Sequence, residues 1–142
     1  MKTIKVKDLN EYGKLVDNLA EQIRKSGKEY KAVYSPDNPM LAFLLSKELG
    51  IALWLKLFVE FPIQYSFKKE VIVVSDIIST GKTREQYKDY DFACLYFNTK
   101  GGRLTEPNYL HSISTRVKTY WLKTIDNEGT KVIMPWEKEI KQ

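Results

Sequence analysis

The chain has 142 residues, 43% of them apolar and 29% charged, enough for one α/β domain with a real core and too few for two ordinary domains. Its net charge of +5 favours anionic ligands without specifying one, and the basic residues are too dispersed to form a dedicated nucleic-acid patch, so nucleic acid is not an expected partner. A single cysteine, Cys94, excludes an intramolecular disulfide framework, and one histidine beside it excludes a structural zinc site.

Membrane insertion is not expected either. The apolar run Ile51–Val59 is broken by Lys56 and falls short of the ~20 residues a membrane helix needs. The opening MKTIKVKDL lacks the continuous apolar stretch of a signal peptide, so a cytoplasmic location is expected.

In chain order, Asp8 followed by Glu11 reads as a capping box. Leu9, Tyr12, Leu15, Val16, Leu19 and Ile23 then recur at helical spacing until Gly27. Tyr30–Tyr34 reads as a short strand ending at the turn Ser35-Pro36-Asp37-Asn38-Pro39. Asn38 suits an N-cap and Pro39 the first helical position, for a helix that stops at Gly50. Ile51–Val59 reads as a strand and Tyr65–Phe67 as a short one. Glu70–Ser75 is almost entirely β-branched, the pattern of a strand buried on both faces of a parallel sheet. A short helix near Arg84–Tyr90 and a strand Phe92–Phe97 follow. Strands at Val117–Lys123 and Thr130–Met134 flank Asp126-Asn127-Glu128-Gly129, which predicts a hairpin. The alternation through the first two-thirds implies a single α/β domain, 1–142, with a mainly parallel central sheet and helices on both faces.

The chemistry concentrates in Val71–Thr83, VIVVSDIISTGKT. Ser79-Thr80-Gly81-Lys82-Thr83 follows a buried strand and precedes a helix, so backbone N–H groups can converge on an anion at the helix start. Gly81 permits close approach of the backbone, the hydroxyls of Ser79, Thr80 and Thr83 add donors, and Lys82 adds charge. Asp76 falls at the carboxyl end of the strand, where open α/β sheets place ligands. A carboxylate beside a phosphate nest suggests a sugar phosphate. On spacing alone, a plain capped strand–turn–helix stays open as an alternative. A Walker loop does not fit, because Asp76 occupies the position of its upstream glycine.

Four apolar residues, an acidic position, two more apolar residues and [ST]-T-G-K-T resemble the phosphoribosyl-pyrophosphate (PRPP) motif of type I phosphoribosyltransferases. LLSKELGI within Met40–Ile51, Ala93–Phe97 with Pro107-Asn108-Tyr109, and Pro135-Trp136-Glu137 resemble further segments of the small purine (xanthine and hypoxanthine) enzymes. The resemblance implies that fold, with a small C-terminal hood, and transfer of phosphoribose from PRPP to a nucleobase, giving a nucleoside monophosphate and pyrophosphate. It implies Mg²⁺ bound with PRPP, reached by Asp76 indirectly, and a homodimer.

Carried over residue by residue, Ser79–Thr83 hold the 5′-phosphate. Ser75 and Asp76, with Ser35, Asp37 and Asn38 of the turn, meet the ribose and pyrophosphate, and Asp76 is the catalytic acid. Asn98, Val132 and Ile133 meet the base. The chain departs from the pattern at several of these positions. Ser75 replaces one of an acidic pair, Ser79 stands where purine enzymes of the hypoxanthine type carry Asp, and Asp37 stands where a cation is usual. Asn98 replaces a base-recognising Lys, and Lys131 replaces a stacking aromatic. Only about a dozen residues around Glu60–Lys69 remain for a catalytic loop that shields the reaction. A catalytically inactive sensor of PRPP or a nucleotide is therefore the alternative reading. RNA binding, as in some regulators of this fold, is a third.

Cys94 reads as a buried small hydrophobe and His111 as a structural or surface residue. Trp54 and Trp121 suit core or interface packing, while Trp136 is balanced between packing and the ligand site.

Overall fold

The computed structural model describes residues 3–55, 68–79, 81–98, 117–125 and 130–137. Among them are seven strands and three helices: β1 (Thr3–Lys5), α1 (Leu9–Lys25), β2 (Ala32–Tyr34), α2 (Pro39–Leu49), β3 (Ala52–Trp54), β4 (Val71–Ile78), α3 (Lys82–Gln86), β5 (Asp91–Asn98), β6 (Thr119–Ile125) and β7 (Lys131–Ile133). Five strands form one parallel sheet in the order β3-β2-β4-β5-β6. β1 and β7 form a separate parallel pair.

α1 starts as expected. The Asp8 carboxylate accepts from the Glu11 N–H at 2.8 Å, and the Glu11 carboxylate accepts from the Lys7 N–H at 2.8 Å. Its apolar stripe, from Tyr12 to Ile23, is buried. α2 starts at Asn38, whose Oδ1 accepts from the Met40 N–H at 3.1 Å, with Pro39 leading the first turn. It ends at Gly50, where φ is +66°, the left-handed geometry a glycine C-cap supplies at little steric cost.

The period-two alternation of β4 divides its side chains between two cores. Ile72 and Val74 join Val33, Ala93 and Leu95 beneath α1 and α2. Val71 and Val73 join Ala32, Phe92 and Cys94 on the opposite face, under Tyr87 and Tyr90 in the turn after α3. Helices therefore cover both faces, as β-branched runs without polar alternation require. The handedness of crossovers explains the distribution. β2-α2-β3 steps outward in one direction and β4-α3-β5 in the other, so right-handed connections place α2 and α3 on opposite faces.

Several local expectations need correction. β6 and β7 do not form a hairpin: β6 extends the main sheet parallel to β5, while β7 leaves to pair with β1. A turn signal carries no information about pairing partners, and Asp126–Gly129 lie outside the described residues. β1 was not expected, because three residues at the chain start are too few to show a period. β4 runs on through Asp76 to Ile78, beyond the expected end at Ser75. β3 is confined to Ala52–Trp54, with Leu55 already exposed. The expected continuation to Val59 and the strand at Tyr65–Phe67 lie outside the described residues.

Candidate functional site

The strand order dictates where a ligand can sit. From β2 the chain moves outward to β3, then returns to the other side of β2 as β4. The connections leaving β2 and β4 diverge, and the crevice between their carboxyl ends is the topological switch point of the sheet. Ser35–Asn38 leave β2 there, and Ser75 and Asp76 sit at the matching end of β4.

Two hydrogen-bonded groups occupy this crevice. In the first, the Asp37 carboxylate accepts from Ser35 Oγ at 3.1 Å and from Ser75 Oγ at 2.7 Å, tying the turn to β4. Ser35 Oγ also accepts the Asn38 N–H at 3.0 Å. In the second, Asp76 Oδ1 accepts from the Tyr12 hydroxyl at 2.7 Å, and Oδ2 accepts from Asn38 Nδ2 at 2.8 Å. Burial raises the pKa of Asp76; the bonds from Tyr12 and Asn38 oppose that shift, and the charges of Asp37 and Glu137 add to it. The Tyr12 phenol is itself pushed up by burial and by Asp76, so it stays protonated and donates.

A cavity of about 270 Å³ opens over these groups, lined by Asp37, Asn38, Asp76, Ile77, Val132, Met134, Trp136 and Glu137. Its far wall is the C-terminal hood, in which β7 leads to Trp136, and the Trp136 ring meets Tyr12 edge-on at 4.9 Å. Asp37, Asn38, Asp76 and Val132, expected site residues from three separate stretches of chain, thus share one cavity. Ser35 and Ser75 stand directly behind Asp37. Ile133 is buried and is not on the cavity lining.

The phosphate-loop residues lie at the same end of the sheet. Ser79 follows β4, Gly81 has φ of +83°, and Lys82 opens α3. Thr80 lies outside the described residues. α3 has five residues, too short for much of a macrodipole, so an anion here relies on N–H groups, hydroxyls and Lys82 rather than on the helix as a whole. Asn98 ends β5 beside this loop, since Ile78 pairs with Phe97 in register; its side chain is buried and does not line the cavity.

Sequence reasoning placed Tyr12 only on the buried stripe of α1, and no local motif could have shown that its hydroxyl reaches Asp76. Met134 was read only as the end of a strand, and Ile77 only as one of the two apolar residues before the phosphate loop. Trp136 does both things expected of it, packing on Tyr12 and lining the cavity.

No protein-family model and no curated protein matches this chain. Solved structures do. A hypothetical protein from Neisseria gonorrhoeae, with bound ppGpp, aligns over 96% of this chain and 90% of its own at a TM-score of 0.70 and 17% identity. A purine phosphoribosyltransferase from Pyrococcus horikoshii aligns over 100% and 98% at 0.63 and 20%. The xanthine-guanine-hypoxanthine phosphoribosyltransferase of Helicobacter pylori aligns over 92% and 91% at 0.58 and 15%. The fold is that of the type I phosphoribosyltransferases, in agreement with the resemblance carried by VIVVSDIISTGKT.

Proposed function

We propose that this protein binds the phosphoribosyl group of PRPP at the switch point and transfers it to a nucleobase, a purine first among the candidates. The observation that carries this reading is Asp76, a carboxylate at the end of the central strand, three residues before the phosphate loop and facing the cavity that the hood closes. In that arrangement the loop 79–83 holds the 5′-phosphate and Asp76 accepts from the ribose hydroxyls. Val132 and Trp136, with Asn98 at the neighbouring strand end, lie on the side where the base would enter. Positioning of two reactants and electrostatic support of the sugar are what such a transfer needs from a protein.

Mg²⁺ fits the oxygen-rich crevice. Such a cation would be carried mainly by PRPP oxygens and met by the protein through one or two carboxylates. Asp37 would face it on the pyrophosphate side, and Asp76 would meet it indirectly. Bound there, Mg²⁺ would offset the charge of the pyrophosphate beside Asp37.

A second reading, a non-catalytic nucleotide sensor, is favoured by two observations. Asp37 and its serine partners fill the turn where the resemblance implies a cation, and the N. gonorrhoeae protein of the same fold carries ppGpp.

Assays with PRPP, Mg²⁺ and a panel of hypoxanthine, xanthine, guanine and adenine separate the two. The transferase reading expects turnover with at least one base, and a loss in kcat/KM of about a hundredfold in Asp76→Asn. A rise in melting temperature with nucleoside monophosphates, without turnover on any base, selects the sensor. If no phosphate ligand binds, both readings fall.

A further inference from the structure

A carboxylate at the end of a strand has two soft torsions, yet that of Asp76 is held at both oxygens. Tyr12 lies 64 positions earlier in the chain and donates to Oδ1, while Asn38 donates to Oδ2. Asn38 Nδ2 also donates to the Tyr12 hydroxyl at 3.1 Å, which closes a ring of three hydrogen bonds.

Neither donor is free to turn. The Asn38 amide is oriented by its cap, because Oδ1 accepts the Met40 N–H and a flipped amide would set two donors against each other. The Tyr12 ring is 1% exposed, and Trp136 meets it edge-on. Each carboxylate oxygen keeps capacity for a further bond, and Asp76 lines the cavity. A vicinal diol presents two hydroxyls at fixed spacing, and a carboxylate already locked in one plane meets them without the ordering cost of an unrestrained side chain.

We propose that Tyr12 is a positioning residue that sets Asp76 to read the ribose diol, so that the site distinguishes ribose from 2-deoxyribose phosphates. The inference rests on the phosphoribosyl reading of the cleft and names the sugar class within it.

Calorimetric titration of the full chain with ribose 5-phosphate and 2-deoxyribose 5-phosphate tests it. The wild type is expected to prefer ribose 5-phosphate by about tenfold, the value of one hydrogen bond to a charged acceptor. In Tyr12→Phe, which keeps the ring against Trp136, that preference collapses toward unity while affinity for the deoxy sugar barely moves. A purely structural role for Tyr12 would weaken both sugars in proportion, and that result overturns the inference. So does a Tyr12→Phe variant that retains the wild-type preference.

Asn38→Ser supplies a second route should Tyr12→Phe fail to fold. Serine keeps the helix cap and removes the amide donor, so the same collapse is expected and its absence overturns the inference. A wild type that binds both sugars equally refutes the diol reading and leaves the phosphate site standing. A wild type that binds neither refutes the cleft assignment as well.

Discussion

Asp91 and Asp76 are two acids of the same sheet, at opposite ends, put to opposite uses. Asp91 opens β5 and is 1% exposed. Its carboxylate accepts from the Lys28 ammonium, from the Tyr30 hydroxyl and from the Lys118 N–H, joining the end of α1, the approach to β2 and the start of β6. Tyr120 extends the group to Tyr30 and Ser26. Buried and held by three protein donors at both oxygens, Asp91 is an anchor. Asp91→Ala is expected to cost about 3 kcal/mol, because it strands a cation and a buried hydroxyl without their partner; urea denaturation measures it. Among the described residues Asp76 has two side-chain donors, and it lines a cavity, so a ligand can reach it. That difference in partners, invisible in sequence, separates a structural acid from a functional one.

Among the elements, α2 is the one whose limits decide most. Its N-cap, Asn38, also restrains Asp76, and its C-cap, Gly50, turns the chain into β3. Gly50 has φ of +66°, and a Cβ there would meet no atom within 4 Å. Substitution therefore acts through the left-handed backbone alone. Gly50→Ala should lower stability by about 1 kcal/mol, and Gly50→Asn by less, since Asn tolerates that region better. Equal losses for the two in thermal melts would point to packing rather than backbone strain. Both caps of α2 were legible in the sequence, as was the capping box of α1, because capping chemistry is local. The fate of β6 and β7 was not. A turn signal between two strands is local too, but which edges they join depends on where β1 and β5 already lie. β5 offered β6 a long parallel partner.

At the scale of the whole molecule, the central strands form the stable body and the crevice is cut into one end of it. β4 and β5 share six register pairs, and every residue of β5 is buried. Cys94 sits within this body, and burial pushes its thiol pKa well up. A thiol reagent should therefore label it only as fast as the protein unfolds globally, with rates that track denaturant stability across variants. Rapid labelling under native conditions would mean that the sheet opens locally at β5.

The sequence by itself determined the α/β class, the buried strand that leads into Asp76 and the caps of both long helices. Each of these is written in spacing over a few residues. Only the tertiary structure decided that Asp37 bonds Ser75, that the hood brings Trp136 to Tyr12, and that Tyr12 and Asn38 hold the carboxylate of Asp76. Those contacts join residues dozens of positions apart, and the order of strands in the sheet, rather than any local pattern, brings them together at the switch point.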